Sequence, residues 1–278
     1  MSGLRVAVVG HVEWVECAVV DHLPAPGEIV AATDHWQEAA GSGAVAAVQL
    51  AKLAGRSLFI TALADDALGR ASAEQLAGEG VEVHAARRSA PQRRGFVHLD
   101  ARSERTITTL NPRMVPFGAE ALPWDRLAGF DAVYFTGGDA AALQAARKAR
   151  VLVATPRAAD TLRLAGVELD MLLNSGNDAG EALETAKLDP PPRHVVSTLG
   201  VKGGRWIGGE SGEGTWRAAA LPGPPVDAYG CGDSFAAGLT YGLAAGLPVS
   251  RAVEIAARCG AACLTGRGPY AAQLTAVD

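Results

Sequence analysis

A glycine-rich segment near the end of the chain has residue types suited to binding an anion and moving a proton. Asp227–Asp233 reads D-A-Y-G-C-G-D and runs directly into the helix-like Ser234–Leu239. Backbone amides at the start of such a helix point outward at its positive end, where a phosphate binds well. The same field favours the ionised form of Asp233 in the first helical turn, so we expect it to accept a proton from a hydroxyl at neutral pH.

Two interpretations of this segment stay open on the residues alone. In the first, Gly230, Cys231 and Gly232 form an anion cradle beside a catalytic base, Asp233. In the second, the glycines only make a tight turn and Asp233 caps the helix, as short acidic residues commonly do. Only the first interpretation predicts catalysis.

Composition limits the class of protein and its partners. The chain has 278 residues, of which 49% are hydrophobic and 20% charged, and its formal net charge is −5. These values are typical of a folded, soluble protein, and they provide no basic field for a nucleic-acid backbone. Neither nucleic acid nor a membrane is an expected partner, because the longest uncharged stretch, Ser234 to Ser250, is interrupted by glycines and a proline. The first apolar run is too short for a signal peptide, so we expect a cytoplasmic location.

Several common enzyme motifs are absent from the sequence. It contains no G-x-x-x-x-G-K-[ST] phosphate loop, no G-x-G-x-x-G after the first strand-like run and no G-x-S-x-G elbow. The four cysteines and six histidines show no metal-ligand spacing, so no metal site built from them is predicted. These observations disfavour P-loop enzymes, dinucleotide-dependent oxidoreductases and serine hydrolases.

Short apolar runs alternate with alanine-rich segments along most of the chain. Runs that are almost continuously apolar are typical of strands covered on both faces. The alternation therefore indicates an α/β fold with a doubly wound, mostly parallel central sheet flanked by helices, in one domain spanning 1–278. The predicted strands are Arg5–Val9, Leu58–Leu63, Ala132–Thr136, Val151–Ala154, Met171–Leu173 and Val195–Thr198. The predicted helices are Ala44–Ala54, Gly69–Gly78, Ala140–Arg150 and Asp178–Lys187.

Two regions, about 12–37 and 95–110, break this alternation. Both are strand-like with polar interruptions, which predicts exposed antiparallel strands. We interpret them as a small β-lid that projects from the main domain. Its exposed strand edges favour a homodimer formed through the lid.

The glycine-rich segment resembles the signature of the ribokinase-like, or PfkB, carbohydrate kinase family, D-[TS]-x-G-[AC]-G-D-x-F. The similarity covers Asp227–Phe235 and departs at Ala228, where the family has Thr or Ser. Asp233 stands at the position of the family's catalytic base. Further motifs of the family follow in its order over essentially the whole chain, including a lid turn similar to G-E-R-T at 103–106.

The resemblance also implies where the two substrates bind. Gly41, Ser42 and Gly43 belong to a segment that looks like the family's G-G-x-x-x-N sugar-binding motif. A second set resembles the N-x-x-E and T-x-G-x-x-G motifs near the metal and the nucleotide, together with the glycine that closes the nucleotide pocket. The residues of this second set are Asn174, Thr198, Gly200, Gly203 and Gly268.

Departures from the family pattern change what chemistry is expected. Ser42 and Ala46 replace a Gly and the Asn of the sugar motif, and Asn177 replaces the Glu of N-x-x-E, so Mg²⁺ is expected to be held by phosphates and water. Val15 stands where the family often has a sugar-binding Asp. Glu13 lies on the same strand face and either contacts an acceptor hydroxyl from a different height or is a solvated lid charge.

The sequence thus predicts an ATP-dependent phosphotransferase that moves the γ-phosphoryl of ATP to a hydroxyl of a sugar or sugar-like small molecule. Mg²⁺ and a monovalent cation are the implied ions. One alternative is a nucleoside kinase of the same fold, with an aromatic shelf from Trp14, Trp36 and Phe96. Another is a catalytically degenerate protein that only binds its ligand. A sugar phosphate as acceptor would need cations, for which the candidates are Arg93, Arg94, Arg102 and Arg105.

Overall fold

A nine-stranded sheet forms the centre of the computed structural model, which describes residues 3–101, 105–181, 187–209 and 212–275. The strand order is β13-β12-β11-β10-β9-β8-β1-β4-β5. All pairs from β11 to β5 are parallel, and β12 and β13 extend the sheet as an antiparallel hairpin, so the predicted fold class is confirmed. The strands are β1 (Val6–Val9), β4 (Ser57–Ala64), β5 (Val81–Arg88), β8 (Ala132–Phe135), β9 (Val151–Ala154), β10 (Met171–Ser175), β11 (Val195–Thr198), β12 (Gly204–Ile207) and β13 (Glu213–Trp216).

Helices cover both faces of this sheet, because alternate residues of its buried strands point to opposite sides. In β1, Val6 and Val8 enter one core, whereas Ala7 and Val9 enter the other. The first core contains α1, α2, α5 and α6; the second contains α3, α4 and a short 3₁₀ helix. No helix within the described ranges is long and apolar enough to cross a membrane. The helices are α1 (Ser42–Ala54), α2 (Ala67–Gly78), α3 (Ala140–Ala146), α4 (Ala159–Ala165), α5 (Cys231–Ala244) and α6 (Val249–Cys263).

The helix predictions were right for α1 and α2 and need correction elsewhere. The third predicted helix ends at Ala146, because the guanidinium of Arg147 donates to the carbonyls of Ala149 and Arg150 and so fixes a turn there. In place of the fourth, the structure has a 3₁₀ turn at Ala179–Glu181, and residues 182–186 lie outside the described residues. The elements α4, α6, β5, β12 and β13 have no counterpart among the predicted strands and helices.

A second, four-stranded sheet forms the lid, in the order β3-β2-β6-β7. The two hairpins are antiparallel as predicted, but the central pair β2 and β6 is parallel. Its strands are β2 (Glu13–Val19), β3 (Asp34–Ala40), β6 (Arg94–Leu99) and β7 (Arg105–Leu110). Arg102, Ser103 and Glu104, which include the start of the G-E-R-T-like turn, lie outside the described residues.

Two glycines let α5 and α6 approach closely, and this contact positions the glycine-rich segment at the start of α5. A Cβ added to Gly238 would lie 2.7 Å from Cys259 Sγ and 2.8 Å from Ala256 Cα. A Cβ added to Gly242, one turn later, would lie 2.8 Å from Ala252 Cα. The space that side chains at these two glycines would occupy is therefore filled by atoms of α6.

We expect Gly238→Ala to destabilise the fold, because the new methyl group overlaps backbone that cannot move without shifting α6. Overpacking of this kind costs about 1–3 kcal/mol, which corresponds to a fall in Tm of roughly 2–4 °C per kcal/mol for a domain of this size. Gly78→Ala is the matched control, since a Cβ there meets nothing within 4 Å. Equal melting temperatures for the two variants in calorimetry would show that the helices are not in close contact.

Candidate active site

The glycine-rich segment changes direction at Gly230, which is the N-cap residue of α5. Its φ of +83° favours glycine, and an added Cβ would lie 2.6 Å from Pro269 Cβ. The first helical hydrogen bond runs from the amide of Ser234 to the Gly230 carbonyl at 2.8 Å. Asp233 is therefore the third residue of the helix and not its cap, which excludes the interpretation that this residue serves only to cap α5.

The amides that follow Gly230 are open for an anion. Those of Gly232 and Asp233 have no acceptor in the described part of the chain, and that of Cys231 makes only a 3.5 Å contact with the Ala228 carbonyl. Gly232 is exposed, and a Cβ added there would meet nothing within 4 Å. Unpaired N–H groups at the positive end of a helix are a suitable cradle for a phosphate.

The Asp233 carboxyl lies half-buried beside this cradle, and its pKa is raised to about 7. Burial is the main cause, and the positive charges of Arg157 and Arg105 only partly oppose it. The negative charges of Glu181 and Glu13 raise the pKa further. Desolvation therefore outweighs the helix field, which was expected to favour the ionised form of this carboxyl. A pKa near neutrality suits a general base.

Glu13 is a buried charge of the site, and the interpretation as a solvated lid residue is wrong, since only 8% of it is exposed. The Nε of Arg93 donates to its Oε1 at 2.6 Å, and the Nε2 of His11 lies 3.3 Å from the same oxygen. Burial would raise the pKa of Glu13, but these hydrogen bonds lower it to about 2. The other oxygen, Oε2, accepts no hydrogen bond from a described residue and can receive one from an acceptor hydroxyl.

The loop before α1 connects Glu13 with the glycine-rich segment. A Cβ on Gly41, whose φ is +87°, would lie 3.0 Å from the Glu13 amide nitrogen, so only glycine allows this approach. The Gly41 amide donates to the buried Tyr229 hydroxyl at 3.3 Å. The hydroxyl of Ser42 lies 2.8 Å from that of Thr136 and is held in place by it.

Three further positions of the sugar-motif region are closely packed. A Cβ on Gly43 would lie 2.7 Å from the His11 carbonyl oxygen and 2.9 Å from the Phe59 ring, so packing alone requires a glycine there. Val15 and Ala46 are fully buried. Neither side chain has a hydrogen-bonding group, so hydrogen bonds to an acceptor must come from elsewhere.

The predicted nucleotide residues after β10 and β11 lie together, except for Gly268. Asn174 is the next-to-last residue of β10, and Thr198 is the last residue of the neighbouring parallel strand β11. The Thr198 hydroxyl donates to the Asn174 carbonyl at 3.4 Å. The buried Oδ1 of Asn174 has no hydrogen-bond partner among the described residues. Gly200 and Gly203, with φ of +58° and +84°, shape the tight turn that follows.

Gly268 lies instead between the glycine-rich segment and the lid. Its amide donates to Asp227 Oδ2 at 3.1 Å, and an added Cβ would lie 2.3 Å from Glu38 Oε1. Burial raises the pKa of Glu38 to about 7, and the nearby Asp227 adds to the effect. Gly268 thus joins β3 to the first residue of the glycine-rich segment.

Arg157, which was not among the predicted site residues, follows β9 at the carboxyl edge of the sheet. Its Nε lies 2.9 Å from Glu181 Oε1, and its Nη2 donates to Asp178 Oδ2 at 2.8 Å. The Ser175 amide holds the second oxygen of Glu181 at 2.7 Å. A charged residue three positions after a buried parallel strand was the available signal, since ligands of such sheets bind at this edge.

The lid arginines and aromatic residues do not assemble as predicted. Arg94 pairs with Glu16, at 2.9 Å between Nε and Oε1, whereas Arg105 Nη1 donates to the Ala228 carbonyl at 2.9 Å. Trp14 and Cys17 lie three residues apart in β2 and so point to opposite faces of the lid. The cross-strand neighbour of Cys17 is Trp36, which therefore lies on the face away from Trp14. The register also puts Phe96 on the Trp14 face, so the three aromatic residues form no common shelf.

A doubly wound sheet with a β-lid, a helix start with open amides and an adjacent carboxyl of neutral pKa define the class of small-molecule kinases. The comparison with known families specifies this class further. The family model described as "pfkB family carbohydrate kinase" matches residues 4–161 and 143–276. The chain belongs to this family.

Individual relatives agree with this assignment. A fructokinase from Klebsiella pneumoniae is 30% identical over 299 aligned positions, which cover 92% of this chain and 93% of the relative. An Arabidopsis thaliana ribokinase, solved in complex with ribose and ATP, has a TM-score of 0.76 and 19% identity over 99% of this chain and 96% of its own. An adenosine kinase from Sinorhizobium meliloti has a TM-score of 0.75 and 17% identity over 96% and 95% of the two chains. At these identities the two solved structures show a shared fold alone.

Gly232→Ala should impair the anion cradle without destabilising the fold. The added methyl group meets no protein atom and sits in a helix, where Ala is favoured over Gly by about 0.5–1 kcal/mol, so Tm should be unchanged or slightly higher. It adds a methyl group to the Cα between the open amides of Gly232 and Asp233, and kinase activity should fall roughly 10- to 100-fold, as for a displaced reacting group.

Gly230→Ala is the control for Gly232→Ala, because it introduces both a clash and a strained φ and should lower stability and activity together. Full activity of Gly232→Ala in an ADP-release assay would show that the cradle is not used.

The raised pKa of Asp233 also predicts a pH-dependent effect on stability. A carboxyl with a folded-state pKa of about 7 against an ordinary value of 3.8 contributes stability fully below the lower value, and loses it as pH rises through about 7. Asp233→Asn avoids this loss. The Tm of the variant minus that of the wild type should therefore increase between pH 5 and pH 8 in scanning calorimetry. A constant difference would show that the carboxyl is not desolvated.

Proposed function

We propose that this protein transfers the γ-phosphoryl group of ATP to a hydroxyl of a sugar or a sugar-like alcohol. The observation that carries the proposal is the half-buried Asp233 carboxyl next to the unpaired amides of Gly232 and Asp233. The family assignment and the fructokinase relative support a sugar as acceptor. The ribokinase solved with ribose and ATP supports ATP as donor.

In this reaction the Asp233 carboxylate takes the proton of the acceptor hydroxyl. The oxygen of that hydroxyl forms a bond to the γ-phosphorus of ATP. The bond between that phosphorus and the bridging oxygen of the β-phosphate breaks, and ADP leaves with the electron pair. The amides of Cys231, Gly232 and Asp233 stabilise the charge on the transferring group. One such donor typically contributes about 3 kcal/mol to lowering the barrier.

The two substrates would approach this centre from opposite sides. On the lid side, Glu13 Oε2 and the backbone around Gly41 and Ser42 would bind the acceptor. On the sheet side, Asn174, Thr198 and the glycine turn after β11 would bind the nucleotide. The lid would exclude water and thereby limit transfer of the phosphoryl group to water.

Mg²⁺ would enter with the phosphates of ATP. Within the described ranges no group of three or more His, Cys, Asp or Glu residues can hold a metal. Asp178 and Glu181 are already bound by Arg157 and by backbone amides, so neither is free as a ligand. The unpartnered Oδ1 of Asn174 is the side-chain oxygen that fits a metal-bound water. Bound Mg²⁺ neutralises charge on the phosphates.

We also propose that the protein forms a homodimer through the lid and acts in the cytoplasm. All six residues of the edge strand β7 are exposed, so its unpaired backbone groups are available to a second copy. Phe96 and Leu110, 38% and 44% exposed, add apolar surface on the same side of the lid. A monovalent cation remains a prediction from the family resemblance.

The nucleoside alternative loses support, because Trp14 and Phe96 lie on the lid face opposite Trp36 and cannot stack on one base. The binding-only alternative also loses support. A protein that only binds its ligand has no use for a carboxyl of neutral pKa beside an open anion cradle.

The proposal is tested by Asp233→Asn in an ATP-consumption screen over sugars, sugar phosphates and nucleosides. Loss of a positioned general base should lower kcat/KM roughly 10²- to 10⁴-fold, with unchanged folding by circular dichroism. For the wild type, kcat/KM should rise as the pH increases through about 7, because only the ionised carboxyl accepts a proton. The variant should lack this rise. Turnover near the wild-type level in Asp233→Asn would contradict the assignment.

A further inference from the structure

Two of the four cysteines meet where the glycine-rich segment joins α5. Cys231 is the first residue of α5, and Cys263 is the last residue of α6. A Cβ added to Gly260, in the last turn of α6, would lie 3.2 Å from the Cys231 carbonyl oxygen. The two thiols form a hydrogen bond with each other, and all four cysteines are free. The proposed phosphotransfer uses the amide of Cys231 and neither sulfur.

Backbone carbonyls hold both sulfurs at the turn before α5. Cys263 Sγ lies 3.5 Å from the carbonyl oxygens of Tyr229 and Pro269. Cys231 Sγ lies 3.9 Å from the Asp227 carbonyl oxygen. The fold therefore keeps the two sulfurs adjacent at the residue where the anion cradle begins.

The two cysteines differ in their access to solvent. Cys231 is half-buried beside the exposed Gly232, whereas Cys263 has no exposed surface. A small oxidant from solvent therefore reaches Cys231 first. The hydrogen bond from Cys231 lowers the pKa of the Cys263 thiol, whereas burial raises the pKa of Cys259, one turn earlier, to about 12. The pair thus releases a proton more easily than Cys259 does, and the thiolate is the form that reacts with an oxidant.

We propose that Cys231 and Cys263 are an oxidation site, at which a peroxide converts the two thiols into a disulfide and thereby inactivates the anion cradle. The linkage rests on the contacts of the two cysteines alone, whereas its effect on activity rests on the proposed function. Disulfides that form in a reducing cytoplasm are usually transient and catalytic or redox-sensing. Cys231 lies where such a bond acts directly on the phosphate site.

The reaction balances with hydrogen peroxide as its one co-reactant. After proton exchange across the hydrogen bond, the Cys231 thiolate attacks one peroxide oxygen, the O–O bond breaks, and Cys231 becomes a sulfenic acid. The hydroxide that leaves takes up the proton released by the pair and forms water. The Cys263 sulfur then attacks the Cys231 sulfur, the S–O bond breaks, and the second hydroxide leaves with the Cys263 proton as water. Two electrons pass from the thiols to the peroxide, and a dithiol reductant reverses the linkage by thiol–disulfide exchange.

The disulfide changes the cradle because it replaces contacts that fix the turn. The two sulfurs move together to about 2.05 Å, which draws the first residue of α5 toward the end of α6. The S–H group of Cys263 that contacts the Tyr229 and Pro269 carbonyls is lost. Gly230 packs against Pro269 with a φ of +83°, so the turn has little room to absorb the shift. The amide of Cys231 is then displaced from the anion that it would share with its neighbours.

The test treats the whole protein with hydrogen peroxide, removes the excess with catalase, and follows thiols and activity separately. Thiol titration of the denatured chain should fall from four to two, because one disulfide consumes two of the four cysteines. The intact mass should fall by two hydrogen atoms, and peptide mapping without reductant should join the peptides that contain Cys231 and Cys263. Activity in the ADP-release assay should fall at least about tenfold, on the scale of a displaced reacting group, and dithiothreitol should restore it.

Cys263→Ser removes the second sulfur with little change in volume and keeps a donor for the carbonyls at the turn. Its activity and Tm before treatment should match the wild type. After treatment it should gain oxygen at Cys231 in place of the disulfide. Recovery with dithiothreitol should then fall as the peroxide concentration rises, because further oxidation to the sulfinic acid is irreversible. Cys263→Ala should behave in the same way and is the second variant.

Cys259→Ser is the matched control, since Cys259 is a buried cysteine of the same helix. It should form the disulfide, lose activity and recover as the wild type does. Recovery of Cys263→Ser that equals that of the wild type at every peroxide concentration would overturn the inference.

The covalent and kinetic readouts separate this inference from the proposed function. If the disulfide forms but the reduced protein phosphorylates no acceptor, the linkage stands and the kinase proposal fails. If the reduced protein is an active kinase and peroxide forms no bond between Cys231 and Cys263, the inference is wrong and the kinase proposal stands. A disulfide that leaves kinase activity unchanged would also overturn the inference, because the bond would then not act on the cradle.

Discussion

The chemistry of this protein depends on how far a single carboxyl is removed from water. Asp233 sits at the start of a helix, among two arginines and two glutamates, and burial has a larger effect on it than any of these charges. A fully solvated aspartate would be a weak base at neutral pH, whereas a deeply sealed one could not reach a substrate. The half-buried position between the sheet edge and the lid is the compromise that gives a pKa near 7.

Close packing of backbone segments fixes the half-buried position of Asp233. Gly238 and Gly242 bring α5 against α6, Gly230 turns the chain against Pro269, and Gly41 passes beside Glu13. Each removes a side chain so that two segments distant in sequence can approach, and together they leave Gly232 as the glycine of the segment with open space in front of it.

Much of the framework was predictable, because continuous apolar runs and a glycine-rich helix start depend on local sequence. All six predicted strands are present, and Asp233 stands where expected. The predictions that were wrong concern features that depend on contacts beyond the local pattern. The length of α3 is set by Arg147, and the parallel pairing of β2 with β6 joins segments about 80 residues apart. The burial of Glu13 depends on Arg93 and His11. The pKa of Asp233 could not be predicted, since helix position is local whereas desolvation comes from the whole fold.

One contact of the lid joins it directly to the segment that carries the anion cradle. Arg105 at the start of β7 donates to the Ala228 carbonyl, which lies 123 residues further along the chain and three residues before Cys231. Any displacement of β7 away from the main sheet has to break this bond. The position of the edge strand and the position of the chain that leads into the cradle are therefore coupled through a single guanidinium.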